Sequence, residues 1–251
     1  MSNKVTIIGA GSVGSTIAYN MVVTGIASEI VLIDINAKKA EGEAMDILQG
    51  VPFCSPVSIY AGTYADAKGS DIVILTSGMP RKAGQSRLEL AQVNVDITKT
   101  IIPEIVKYAP EAVYIVVSNP IDILTYVFHK YSGLPSNQII GSGTTLDTAR
   151  LRSRLSETFN ISQQNVHAYV FGEHGDSSFV PWSIANISGI PINQYINCLP
   201  EGKRPVVDYA EIEEYTRKSG AKIIASKGAT FYAIAISVCH ICKCLLDGMD
   251  T

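Results

Sequence analysis

Residues 4–25 read KVTIIGAGSVGSTIAYNMVVTG. A short β-branched run leads straight into Gly9, Gly11 and Gly14, with Ser12 and Val13 filling the last gap, and a segment of helical spacing then runs to Gly25. A G-x-G-x-x-G on its own is a weak signal. Here it follows a strand pattern and opens a helix pattern, which is the context that gives each glycine a task. Gly9 permits a tight turn, Gly11 lets backbone approach a pyrophosphate, and Gly14 lets helix and strand pack closely. The helix N-terminus favours the negative charge. Asp34 ends the next apolar run, EIVLIDI, twenty residues after Gly14. An acid there accepts hydrogen bonds from ribose hydroxyls and repels a 2′-phosphate, so NAD is expected over NADP. The competing reading, a glycine turn followed by an Asp that merely caps a helix, leaves this context unused.

The same alternation continues outward. NAKKAEGEAMDILQG reads as a helix that stops at Gly50. VSIYAG, DIVILTSG and AVYIVVSNP read as further strands, with a long helix, RLELAQVNVDITKTIIPEIVKYAP, between the last two. QIIGSG closes the unit with a short strand. Continuous apolar strands alternating with helices imply a parallel sheet covered on both faces, an α/β Rossmann-type doubly wound fold. The pattern changes near Gly141–Gly143. The expected organisation is therefore an NAD-binding Rossmann domain over residues 1–142 and an α+β substrate domain over residues 143–251. In the second, TTLDTARLRSRLSETFN reads as a helix and Val207 to about Leu246 as one long helical region.

The chain has 251 residues, 47% of them apolar, and a net charge of −3. That provides no basic footprint for nucleic acid or an anionic membrane. Every long apolar run is broken before membrane-spanning length, and MSNKVTIIGAG carries no signal-peptide pattern, so a cytoplasmic protein is expected. Of the five cysteines, three crowd into CHICKC as Cys239, Cys242 and Cys244. On a helix those offsets do not converge on one ion, so they read as core thiols and no metal is expected.

FGEHGDSS, residues 171–178, places one of only four histidines among glycines, with an acid on either side. A loop histidine is often just solvated. His174 is also a candidate general acid/base, because imidazole titrates near neutrality and a carboxylate can hold its tautomer. Four further stretches stand where strands end or helices begin: SGMPRKAGQSR, VSNP, LDTARLR and KGATFYAIA.

Taken together, in this order and spacing, these motifs resemble the L-lactate/malate dehydrogenase family from residue 1 to about 246. The resemblance implies that His174 exchanges a proton with the substrate carbonyl and that Asp147 holds its other nitrogen. It implies that Arg150 grips the substrate carboxylate as a two-point fork, and that Arg87 polarises the carbonyl. Asn119 would orient that oxygen and the nicotinamide side, and Thr230 would line the pocket. It also implies NAD as cofactor, a small 2-keto or 2-hydroxy acid as substrate, and a homo-oligomer, dimer or tetramer. Taken singly, each residue has a bland reading. Asp147 and Arg150, at i and i+3, suit a surface ion pair. Asn119 before Pro120 suits a turn.

Within the family, GEHGDS, GSGTTLDTAR and KGAT resemble the lactate branch. Arg81, six residues before Arg87, dissents, since an arginine at this specificity position is typical of malate dehydrogenases. An Arg facing a second substrate carboxylate gains a charge-assisted partner, whereas facing a methyl group it is desolvated without one. L-lactate/pyruvate interconversion is the expected reaction and malate dehydrogenase the alternative. The family continues for several elements beyond LLDGMDT, so an inactive NAD-binding fragment is a third reading. Arg150 and Arg152, two residues apart, point to nearly opposite sides of a helix, about 200° apart. His167 lies seven residues before His174, an odd offset that on an extended segment turns it the other way. Bacterial allosteric members of the family carry an Arg and a His at these positions and bind fructose 1,6-bisphosphate. Arg152 and His167 are therefore the candidate effector site.

Overall fold

A computed structural model of the chain describes residues 3–79 and 87–249; of Arg87 it describes the backbone alone. The chain divides into two compact units. One runs to Ser142 and resumes at Phe231, and the other is Gly143–Thr230.

The first unit alternates strand and helix: β1 (Lys4–Ile8), α1 (Ser12–Thr24), β2 (Glu29–Ile33), α2 (Ala37–Gly50), β3 (Ser58–Ala61), β4 (Ile72–Leu75), α3 (Arg87–Tyr108), β5 (Val113–Val116), α4 (Ile121–Ser132) and β6 (Ile139–Gly141). The six strands are parallel and ordered β3-β2-β1-β4-β5-β6. This is the order of a Rossmann sheet, whose direction of winding reverses between β1 and β4. The sheet explains why its strands are apolar at nearly every position. Val5, Ile7, Ile30, Leu32, Ile72 and Ile74 pack in one core with α1 and α2. Their neighbours Ile8, Val31, Ile33, Val73 and Leu75 pack in another with α3 and α4. Period-two side chains therefore meet helices on both faces.

The second unit contains α5 (Thr145–Phe159), β7 (Val166–His167), β8 (Asn186–Ile187), β9 (Ile190–Pro191), α6 (Ile192–Cys198) and α7 (Tyr209–Lys227). Its three short strands form an antiparallel sheet in the order β7-β8-β9. Leu151, Leu155 and Phe159 recur every four residues along α5 and bury one stripe in this unit's core, with Val166, Ala168, Val170 and Ile187.

Two features differ from the expectations above. The single helical region after Val207 is two helices, α7 and α8 (Tyr232–Asp247). Gly228, at φ 87°, takes a backbone conformation that a right-handed helix excludes. The substrate domain was expected to hold residues 143–251, yet α8 belongs to the first unit. Ala235, Val238, Cys239 and Cys242 lie at i, i+3, i+4 and i+7 and bury against Ile17 and Met21 of α1. The apolar stripe, not its place in the chain, decides where α8 packs. Burial raises the Cys239 thiol to about 12, and Cys242 is raised further by burial and its neighbour. Both thiols are core side chains. Helix α4, to which the sequence reading assigned nothing, begins at the residue after Pro120.

Candidate active site

Gly9 follows β1 at φ 107°, and a Cβ there would stand 2.8 Å from Ser77 N. A Cβ on Gly14 would lie 1.9 Å from the Gly9 carbonyl oxygen, so strand turn and helix touch backbone to backbone. Gly11 differs, because nothing lies within 4 Å of its would-be Cβ. It is the N-cap of α1 and makes no side-chain cap, which leaves the amides of the first turn facing open space. At the end of β2, Asp34 Oδ2 accepts from Ala10 N at 2.7 Å and Oδ1 from Asn36 N at 2.9 Å. The carboxylate thus braces the glycine turn and keeps further lone pairs for a ligand. At the end of β6, Ser142 Oγ is buried and has no hydrogen-bond partner among the described residues. An open helix N-terminus, an acid beside it and an orphaned hydroxyl at a strand end fit a dinucleotide. Sequence reading found the glycines and the acid. It missed Ser142, because only burial makes a serine informative.

In the second unit, α5 carries Asp147 and Arg150 one turn apart. The Asp147 carboxyl is nearly fully buried. His174 Nδ1 lies 2.5 Å from Oδ2, and Arg150 Nη1 donates to Oδ1 at 2.9 Å. The Asp147–Arg150 pair is not a surface pair, since its side chains are only 7% and 12% exposed. Burial pushes the Asp147 carboxyl up. The His174 hydrogen bond, the His174 charge and the Arg150 guanidinium outweigh it and hold the carboxyl below the ordinary range. An ionised carboxylate only accepts, so Nδ1 carries the proton in this bond. Helix α7 passes close to this arginine. A Cβ on Gly220 would stand 3.2 Å from Arg150 Nη2, which explains a glycine inside a helix.

The other expected residues fall as follows. Asn119 is exposed, and its carbonyl accepts from Asn94 Nδ2 at 2.7 Å. Asn94 is 2% exposed and also binds Met79 N through Oδ1 at 2.8 Å, tying the ends of β4 and β5 together. Sequence reading missed this residue within a long helix. Thr230 is half-buried in the break after α7. Arg152 Nε donates to Ala168 O at 3.1 Å, and its guanidinium lies over the Tyr169 ring at 5.0 Å. His167 is exposed on β7. The odd-offset argument from His167 to His174 does not carry through, because extended alternation stops at Gly172, where φ is 90°. Arg81 and the Arg87 side chain lie outside the described residues.

A Rossmann unit with an open helix N-terminus, and in the same chain a buried carboxylate that holds an imidazole and a guanidinium, are the parts of a nucleotide-dependent enzyme. Comparison with known proteins narrows the class. Residues 3–141 match the lactate/malate dehydrogenase NAD binding domain and residues 144–251 the alpha/beta C-terminal domain of the same family. The chain belongs to the lactate/malate dehydrogenase family. It is 50% identical over 243 residues to an L-lactate dehydrogenase of Acetivibrio thermocellus, covering 97% of this chain and 76% of the relative. It is 46% identical over 255 residues to an L-lactate dehydrogenase of Clostridium botulinum, covering 100% and 78%. Among solved structures, a lactate dehydrogenase from a Medee basin deep-sea metagenome library superposes with a TM-score of 0.95 at 41% identity, covering 100% of this chain and 80% of that one. The minor L-lactate dehydrogenase of Enterococcus mundtii superposes with a TM-score of 0.91 at 40% identity, covering 98% and 78%. Among the described residues, no helix is long and apolar enough to cross a membrane.

Two outcomes follow from this geometry. Gly14→Ala should destabilise the protein by about 1–3 kcal/mol through overpacking. Gly11→Ala should cost less than about 1 kcal/mol yet weaken NADH binding. Thermal unfolding with NADH fluorescence titration separates the two, and equal destabilisation by both would contradict the open cradle. Folding lowers the Asp147 pKa. Its stabilisation is complete above the ordinary carboxyl value near 4 and is lost as pH falls through the folded value. Asp147→Asn should therefore melt about 3–10 °C below the parent at pH 7, a gap that begins to narrow as pH falls below about 4 and closes only below the folded value. A gap independent of pH would mean that Asp147 is not held ionised.

Proposed function

We propose that this chain interconverts L-lactate and pyruvate with NAD, using His174 as the general acid/base. The observation that carries this reading is the Asp147–His174 hydrogen bond of 2.5 Å, on a carboxylate that Arg150 also binds. Asp147 fixes the Nδ1–H tautomer and stabilises the imidazolium formed when Nε2 takes up a proton. In the reduction direction, Nε2–H gives its proton to the oxygen of the pyruvate carbonyl, and in oxidation Nε2 removes the hydroxyl proton of lactate. Arg150 supplies the fork for the substrate carboxylate. Gly9, Gly11, Ser12, Val13 and Gly14 offer backbone to the dinucleotide phosphates, and Asp34 accepts from its ribose. Bound NADH supplies the hydride. Arg87, Asn119 and Thr230 complete the assignment as residues on the carbonyl, the nicotinamide side and the pocket wall. The competing substrate, oxaloacetate, rests on Arg81.

Steady-state kcat/KM for pyruvate against oxaloacetate tests the choice. Pyruvate should be favoured, and a ratio strongly favouring oxaloacetate assigns the malate reaction. His174→Ala should lower kcat by ~10²–10⁴-fold with NADH affinity nearly unchanged. NADH binding with no turnover of either acid would make the chain an inert binding module.

The regulatory part of the reading places an anion site at Arg152 and His167 in a homo-oligomer. Its support is that the Arg152 guanidinium is anchored beside the residues that follow His167. A sugar bisphosphate there offsets the repulsion between two copies of this pair. Fructose 1,6-bisphosphate should lower the KM for pyruvate, more so at mildly acidic pH, and Arg152→Gln should abolish the response. Activity and oligomer mass indifferent to millimolar effector would remove the site.

A further inference from the structure

Thr144 is the N-cap of α5, a position where threonine commonly accepts from the helix's own first amides, yet its side chain makes no such bond. Its Oγ1 instead donates to Val170 O at 2.7 Å. One turn later, Thr148 Oγ1 accepts from Val170 N at 2.9 Å. Another turn on, Arg152 Nε donates to Ala168 O at 3.1 Å. Residues 144, 148 and 152 recur every four and share one helix face. This polar stripe takes up the backbone of residues 168–170 where strand pairing has ended, since β7 stops at His167. The apolar stripe of the same helix holds Ala168 and Val170 in the core.

Both partners of the catalytic hydrogen bond hang from the two segments so joined. Asp147 sits between the two threonines on α5. His174 follows Val170 by four residues, on a loop closed at its base by Phe171 N to Phe179 O at 2.9 Å and Phe179 N to Phe171 O at 3.0 Å. The Phe171–Phe179 bridge stands between Val170 and the imidazole. We propose that Thr144 and Thr148 are positioning residues whose two-point grip on the Val170 backbone sets the distance between His174 Nδ1 and Asp147 Oδ2. The catalytic part of this inference rests on His174 being the acid/base proposed above. The geometric part does not.

The test uses the full chain labelled with 15N-histidine. The proton on His174 Nδ1 should give a far-downfield resonance, identified by its loss in His174→Ala. In Thr148→Val, that resonance should shift or broaden, and kcat for pyruvate should fall about 10–100-fold, as misplacement of a reacting group by a fraction of an ångström to an ångström does. NADH affinity should stay within about 3-fold of the parent, since the cradle is untouched. Thr148→Ser restores an acceptor and should recover both signals. Thr144→Val should show the same pattern, and it carries the test if Thr148→Val does not fold. A parent-like resonance and kcat in both valine variants overturns the proposal. So does a fall in kcat that merely tracks the loss of NADH-binding sites, which is what a purely structural role would produce. If the parent itself turns over no keto acid, the proposed function fails, while the resonance still decides whether the threonines set the bond.

Discussion

The Asp147 carboxylate is nearly buried and spends its two oxygens on different partners, Oδ2 on the His174 imidazole and Oδ1 on the Arg150 guanidinium. A buried charge without partners is expensive, and removing one partner from such a cluster leaves that cost exposed. This constraint organises the second unit. It demands that α5 present residues 147 and 150 on one side, that the 171–178 loop return to the helix, and that α7 leave room at Gly220 for the guanidinium. The opposite demand, burial of apolar surface, is met a third of a turn away by Leu151, Leu155 and Phe159. One helix thus serves an apolar stripe, a charged cluster and a row of side chains that hold backbone.

The first unit follows a different logic. Its strands are buried on both faces, so specificity resides at their carboxyl ends, where side chains no longer face helices. Close backbone packing at Gly9 and Gly14 brings α1 onto the sheet and leaves its N-terminus open at Gly11. Asp34, the proposed ribose acceptor, also holds the turn, through Ala10 N and Asn36 N. Asn94 and Ser118 do comparable work at the ends of β4 and β5, and Ser118 Oγ donates to Ser77 O at 2.6 Å. The strand-end loops are held by side chains that are buried or half-buried beneath them.

Much of this was readable in advance for identifiable reasons. The glycine spacing, the strand-end acid and the double-sided apolar strands are local patterns, and the chemistry they require is local too. The Asp147–Arg150 spacing of three places both on one helix face whatever the rest of the chain does. Asn94, Ser142 and Gly220 could not be found this way, because an asparagine, a serine or a glycine becomes informative only when its surroundings are known.

By itself the sequence determined the parallel α/β architecture and the glycine turn with Asp34 beside it, and it put forward His174, Asp147 and Arg150 as candidates. These follow from periodicities of two and 3.6 and from side-chain types at fixed offsets. Only the tertiary structure decided that α8 returns to the nucleotide-binding unit, because that depends on which exposed stripe its apolar face finds. Only the structure showed that Thr144 leaves its own helix uncapped to hold Val170. Hydrogen bonds between residues 26 apart arise from chain crossing, and no local pattern encodes where a chain will cross itself.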